Sequence, residues 1–186
     1  MLVEEYSNTT GLPSVSTILD RYIYKKAFKD HHRERGSYVH QAVKSSIDGE
    51  FVVIEDARFE GYFRSFQQFK PRIKSTYFSE KRFIDSLKSY TGKLDFAGVI
   101  DLPGGEQSSL VDWKTSKSPS KTMPIALAAY RRLLADNSDI VIDRLVNVFL
   151  DENGGEPKIK VWQPEQYQSF EIIFRSAKQI YYYFGE

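Results

Sequence analysis

Tyr90-Thr-Gly-Lys-Leu-Asp95-Phe-Ala-Gly98, then Pro103-Gly104-Gly105, then Leu110-Val-Asp112-Trp-Lys114-Thr-Ser116 read together as a β-hairpin. With Pro103 and Gly104 at the centre of the turn, counting outward along both strands sets Asp95 opposite Asp112. Side chains alternate faces along a strand, so Asp112 and Lys114 share one side and Trp113 takes the other. Two carboxylates facing each other across a sheet repel and resist double ionisation, and the pairing becomes favourable where a cation lies between them. The hairpin therefore reads as a metal site, with two acids and a lysine on one surface while Trp113 anchors the core. Register carries this reading, because a slip of one residue moves every side chain to the opposite face. Acid-x-base triplets are commonplace as solvated charge on exposed strands. Here Leu110, Val111 and Trp113 embed the triplet in apolar sequence, so the charges end a buried strand.

Outward from the hairpin, the pattern alternates helices and strands. Ser14 or Ser16 caps a helix running to about Lys29, and a second runs from about Arg33 to Ser46 with His40 near its middle. Phe59 to Ile73 reads as a third helix. Strands follow at about Thr76–Ile84, Tyr90–Ile100 and Ser109–Thr115, and then Pro119 and Pro124 open a helix reaching about Ala135. Ile140–Asp151 and Pro157–Trp162 are strand runs around the hairpin turn Asn153-Gly154-Gly155, and Pro164 opens a last helix to about Phe184. The expected fold class is α/β (α+β), a single domain with a central mixed sheet flanked by helices. The site is expected where three strands meet the His40 helix.

These residues resemble a family. Gly92-Lys-Leu-Asp95 followed by Val111-Asp112-Trp113-Lys114-Thr115-Ser116 is similar to the core of the PD-(D/E)XK nucleases of the RecB-like branch, with their Gly-x-x-Asp strand and Asp-x-Lys strand. Within that branch, the chain is similar to small phage exonucleases and to mitochondrial genome maintenance exonucleases. Pro13-Ser14-Val15 is similar to that family's opening segment, and Arg35-Gly36-Ser37-Tyr38-Val39-His40 to its Gly-x-x-x-His helix start. The likeness runs from about Leu12 to the last helix and implies a restriction-endonuclease-like core.

Carried over residue by residue, the resemblance implies that His40, Asp95 and Asp112 bind a divalent cation, with the Trp113 carbonyl as a backbone ligand. Lys114 is implied as the catalytic lysine, acting with Asp112, Asp95 and Glu80. Tyr130, Thr115, Ser116, Lys117 and Arg131 are expected to meet the substrate. One departure stands out: where the family often has Gln-x-x-x-Tyr, this helix keeps Tyr130 but has Ala126. Phosphodiester hydrolysis needs an activated water and neutralised charge on the phosphoryl oxygens. Asp95 and Asp112 are hard oxygen donors suited to Mg²⁺ or Mn²⁺, and His40 tilts the site towards tolerating Mn²⁺. The implied activity is a metal-dependent exonuclease on single-stranded or end-exposed DNA, serving DNA replication, recombination or repair in a phage or bacterium. A structure-specific endonuclease and an inactive DNA-binding module are the alternatives on the same fold. Taken alone, several of these residues read equally as structural: His40 as a packed histidine, Glu80 beside Lys81 and Arg82 as a cross-strand ion pair, His31 and His32 as solvated surface.

Composition bounds the rest. At 186 residues with 41% hydrophobic and 15% aromatic content, the chain can bury one sizeable core. It has no cysteine, which excludes disulfides, thiolate zinc and the four-cysteine iron–sulfur cluster of some RecB-like nucleases. Met1-Leu-Val-Glu-Glu lacks the basic start and apolar stretch of a signal peptide, so a cytoplasmic location is expected, with no membrane partner. The net charge of +1 is not that of a general nucleic-acid binder, so DNA affinity must come from local clusters. Three segments supply them: Arg21–Arg35 with Lys25, Lys26, Lys29 and Arg33; Arg64–Arg82 with Lys70, Arg72, Lys74 and Lys81; and Lys117, Lys121, Arg131 and Arg132. Tyr22, Tyr24, Phe28, Phe66, Phe69 and Tyr77 interleave with the first two, as stacking platforms for unpaired bases or as core.

Overall fold

A computed structural model describes residues 11–22 and 30–184. Helix α1 spans Val15–Tyr22 and starts on Ser14, whose hydroxyl accepts from the Thr17 backbone N–H at 3.0 Å. That is the N-cap bond expected of a serine there. The predicted continuation to Lys29, with Tyr24, Lys25, Lys26 and Phe28, lies outside the described residues, as do Met1–Glu5 and the side chains of Tyr22, His31 and His32. Helix α2 covers Asp30–Ile47 and α3 covers Ala57–Phe69. The predicted third helix stops short of Ile73 because Pro71 falls in the tight turn Lys70–Arg72 that follows α3.

Five strands form one sheet in chain order: β1 Ile73–Ile84, β2 Thr91–Leu102, β3 Gly105–Lys114, β4 Arg144–Phe149 and β5 Lys158–Trp162. The β2–β3 pairing runs from Phe96 opposite Val111 down to Leu102 opposite Gly105, so Pro103 and Gly104 are the turn and the register is the one read from the sequence. Gly104 sits at φ +100°, a conformation that the residue after a turn proline takes readily only as glycine. β3 and β4 are parallel, and such a pair requires a crossover, supplied by α4 at Met123–Asn137. The fourth strand is shorter than the predicted Ile140–Asp151, since it pairs only where β3 and β5 run beside it. After a turn at Pro164–Gln166, α5 spans Tyr167–Phe184.

The mixed sheet is covered by helices on both faces, an α+β arrangement consistent with a restriction-endonuclease-like core. On one face Leu94, Ala97, Leu110 and Leu145 pack beneath α1, α4 and α5. On the other, Phe96, Val111, Trp113 and Val148 meet Val39 and Val43 of α2 and the aromatic residues of α3. Trp113 is the anchor foreseen for it: Phe66 and Phe69 meet its ring edge-to-face at 5.5 and 5.4 Å. Each such pair contributes about 0.5–1.5 kcal/mol beyond its buried area. Phe66 and Phe69 are thereby committed to the core and are no platform for bases. Among the described residues, no helix is long and apolar enough to cross a membrane.

Candidate metal centre

Where β3 ends, three strands and α2 bring their polar side chains together. Asp95 is fixed first, its Oδ2 accepting from the Trp113 backbone N–H at 2.9 Å. That bond exists because the hairpin register sets the two strands side by side beyond the pair Phe96–Val111. Glu80 arrives from β1, opposite Asp95, between the pairs Ser79–Phe96 and Lys81–Leu94. Its backbone is in the left-handed region at φ +48°, a strain on the order of 1–3 kcal/mol that a structure retains at sites where it aims a side chain. One Glu80 oxygen faces His40 and the other is paired with Lys93.

His40 reaches in from α2, one residue past the fully buried Val39. Its Nδ1 lies 3.1 Å from Glu80 Oε1 and 3.5 Å from Asp95 Oδ1, and its Nε2 donates to the Trp113 carbonyl at 3.0 Å. Burial alone would lower the imidazole pKa, but the Asp95 and Glu80 carboxylates outweigh it and push the value up to about 10. At neutral pH this histidine is an imidazolium whose proton sits between two carboxylates. The Asp95 carboxyl is held below its ordinary value, burial being opposed by His40, by Lys114 and by the Trp113 N–H.

The ligand atoms of His40, Glu80 and Asp95 all fall within 4.8 Å of one another, the one such group of histidine and acids among the described residues. Two carboxylates and an imidazole fit a divalent cation in place of the shared proton. Asp112 stands beside this group rather than in it. Its Oδ1 accepts from Lys114 Nζ at 2.7 Å and its Oδ2 from Asn147 Nδ2 at 2.5 Å. Burial and then the Asp95 charge raise the Asp112 carboxyl to about 6, with Lys114 acting in the opposite sense. Burial would also lower Lys114, but Asp112 and Asp95 together hold it above its ordinary value, so it stays an ammonium. The Trp113 carbonyl, expected as a ligand, serves here as the acceptor for His40.

The expected substrate residues separate into two groups. Tyr130 lies against β2: a β-carbon on Gly92 would come within 2.8 Å of its ring, so glycine at that position lets α4 close onto the strand. Burial and then the Asp112 and Asp95 carboxylates raise the Tyr130 phenol, which stays a neutral donor beside the centre. Thr115 follows Lys114 and accepts from Arg35 Nε at 3.1 Å, while Ser116 and Lys117 line a cavity of about 280 Å³ shared with Tyr62 and the Phe149–Asn153 stretch. Lys117 is paired there with Glu152 at 2.6 Å. Arg131 is turned away by its step around α4 and pairs with Glu171 of α5 at 3.0 Å. The sequence names Arg35 within a basic cluster and Lys93 within the Gly92–Asp95 motif, but not their contacts with Thr115 and Glu80, and it gives no role to Asn147. Asn147 had a signal, being the lone polar residue in the otherwise apolar run Leu145–Phe149.

No protein-family model matches the chain, and no curated protein matches it.

Proposed function

We propose that this protein is a Mg²⁺- or Mn²⁺-dependent deoxyribonuclease of the RecB-like PD-(D/E)XK type, an exonuclease on single-stranded or end-exposed DNA. The observation that carries the reading is the convergence of His40, Glu80 and Asp95 next to the Asp112–Lys114 pair. His40, Glu80 and Asp95 would hold the cation, which when bound supplies Lewis acidity and a more acidic water. Lys114, kept an ammonium by its carboxylate neighbours, is suited to neutralise charge on a phosphoryl oxygen or to orient the attacking water. Asp112 holds that ammonium in place, its own carboxyl raised to about 6 by burial and by the Asp95 charge. Tyr130 offers a phenol donor on the α4 side. The preference for DNA ends rests on the resemblance to phage exonucleases in the Gly92–Asp95 and Asp112–Lys114 segments.

The test is digestion of end-labelled linear single-stranded DNA, linear duplex and covalently closed circular duplex with Mg²⁺, Mn²⁺ or EDTA. Metal-dependent loss of the linear substrates with closed circles spared is the expected result. Nicking of closed circles at the rate of linear digestion would favour an endonuclease, and no cleavage under any condition would leave only a binding module.

A further inference from the structure

Asn147 is wholly buried in β4 between Val146 and Val148, in a strand with every residue buried. Packing there asks for nothing polar, since a valine would continue the strand, and a buried amide is tolerated only with its hydrogen bonds made. Both sides of this amide are engaged. Its Oδ1 accepts from Trp162 Nε1 at 2.8 Å, and its Nδ2 donates to Asp112 Oδ2 at 2.5 Å, across the parallel pair in which Asp112 and Asn147 are direct partners. An indole nitrogen can only donate, so it must face the amide oxygen. The amide NH₂ is thereby turned towards Asp112. Trp162 is itself steadied edge-on by Phe170 at 6.0 Å, so the chain of contacts starts in α5 and β5 and ends on the carboxylate.

We propose that Asn147 is a positioning residue of the candidate centre: oriented by Trp162, it clamps one Asp112 oxygen and so leaves the other directed at Lys114. With one oxygen on Asn147 and the other on Lys114, the carboxylate is restrained about its Cβ–Cγ bond, and Oδ1 stays 2.7 Å from the Lys114 ammonium. This role rests on the nuclease reading and extends it to two residues, on β4 and β5, that carry no recognisable motif.

The experiment compares wild type, Asn147→Val, Trp162→Phe, the double variant and Asp95→Ala. Each is measured for melting temperature, Mn²⁺ binding by calorimetry, and kcat and KM on a labelled single-stranded oligonucleotide well below the melting point. Asn147→Val is expected to lower kcat by about 10- to 100-fold, the size of effect seen on removing a group that orients a functional side chain, with KM little changed. Trp162→Phe keeps an aromatic ring but frees the amide, and should lower kcat in the same direction by less. The double variant should be no slower than Asn147→Val, because both changes break one relay. An Asn147→Val protein that melts lower but turns over at the wild-type kcat makes Asn147 merely structural and overturns the proposal, as do additive losses in the double variant. A wild type that neither binds Mn²⁺ nor cuts, indistinguishable from Asp95→Ala, fails the nuclease reading and takes the positioning role with it. An active wild type with an unaffected Asn147→Val overturns the positioning role alone.

Discussion

His40 presents one ring nitrogen to two carboxylates and the other to a carbonyl, so both nitrogens are protonated. This gives the metal-free protein a pH signature. The folded-state pKa, about 10, lies above the roughly 6.5 of a free imidazole. The stabilisation is therefore complete below about pH 6.5, shrinks as pH rises and is gone above about pH 10. Urea denaturation in EDTA at pH 6, 8 and 10 should show the stability difference between wild type and His40→Gln narrowing across that range. Mn²⁺ affinity should rise with pH over the same window, because binding displaces the proton. Lys114 and Asp95 separate chemistry from ligation. Lys114→Ala is expected to bind Mn²⁺ normally and to cut roughly 10²–10⁴-fold more slowly, the usual range for losing a charge-stabilising or proton-handling group. Asp95→Ala is expected to lose both, read by calorimetry and oligonucleotide cleavage; normal Mn²⁺ binding by Asp95→Ala would remove it from the ligand set.

At the scale of elements, the centre depends on how closely α4 rests on β2. Gly92 is buried, and a β-carbon there would meet Leu133 Cδ1 at 2.7 Å and the Tyr130 ring at 2.8 Å. The leucine methyl can move aside, but the ring is less free to do so. Gly92→Ala should push α4 off the sheet, costing about 1–3 kcal/mol as an overpacked core does. Thermal unfolding should show a fall of roughly 3–10 °C. Because Tyr130 shifts with the helix, the same variant should also lose cleavage, whereas Gly36→Ala, in α2 with open space around the added carbon, should melt near the wild type. Equal melting of the two variants would mean that α4 does not need the close approach. The strain at Glu80 is likewise set by the fit between elements. The residue leaves the regular strand conformation at the point where its carboxylate must turn to His40.

For the whole molecule, the centre lies where β1, β2, β3 and α2 converge, so a cation held by Glu80, Asp95 and His40 would tie together both the sheet and one helical layer. Binding to the folded state alone stabilises it by about 2.7 kcal/mol at a hundredfold excess over the dissociation constant. Mn²⁺ at that excess should raise the melting temperature by roughly 5–10 °C for a chain of this size, with no rise in Asp95→Ala. A rise of equal size in that variant would place the cation elsewhere.

How much of this was legible in the sequence follows from the range of the interactions. The β2–β3 hairpin, its register, the opposed faces of Trp113 and the Asp112–Lys114 pair, and the Ser14 cap were all readable, because each depends on strand alternation, a Pro-Gly turn or a hydroxyl three residues from its partner. The resemblance brought His40, Asp95 and Glu80 to one site, but the direct pairing of His40 with Glu80, the separation of Asp112 from that group, the Trp162–Asn147 relay and the turn of Arg131 towards α5 were not legible. His40 and Glu80 are forty residues apart in the chain and on different elements, and no periodicity records which rotamer each adopts. Local pattern determines which face a side chain takes on its own element. Packing of one element against another decides which polar atoms come within hydrogen-bond distance, and here that packing alone set His40 Nδ1 against the Glu80 carboxylate and gave the second oxygen of Asp112 to Asn147.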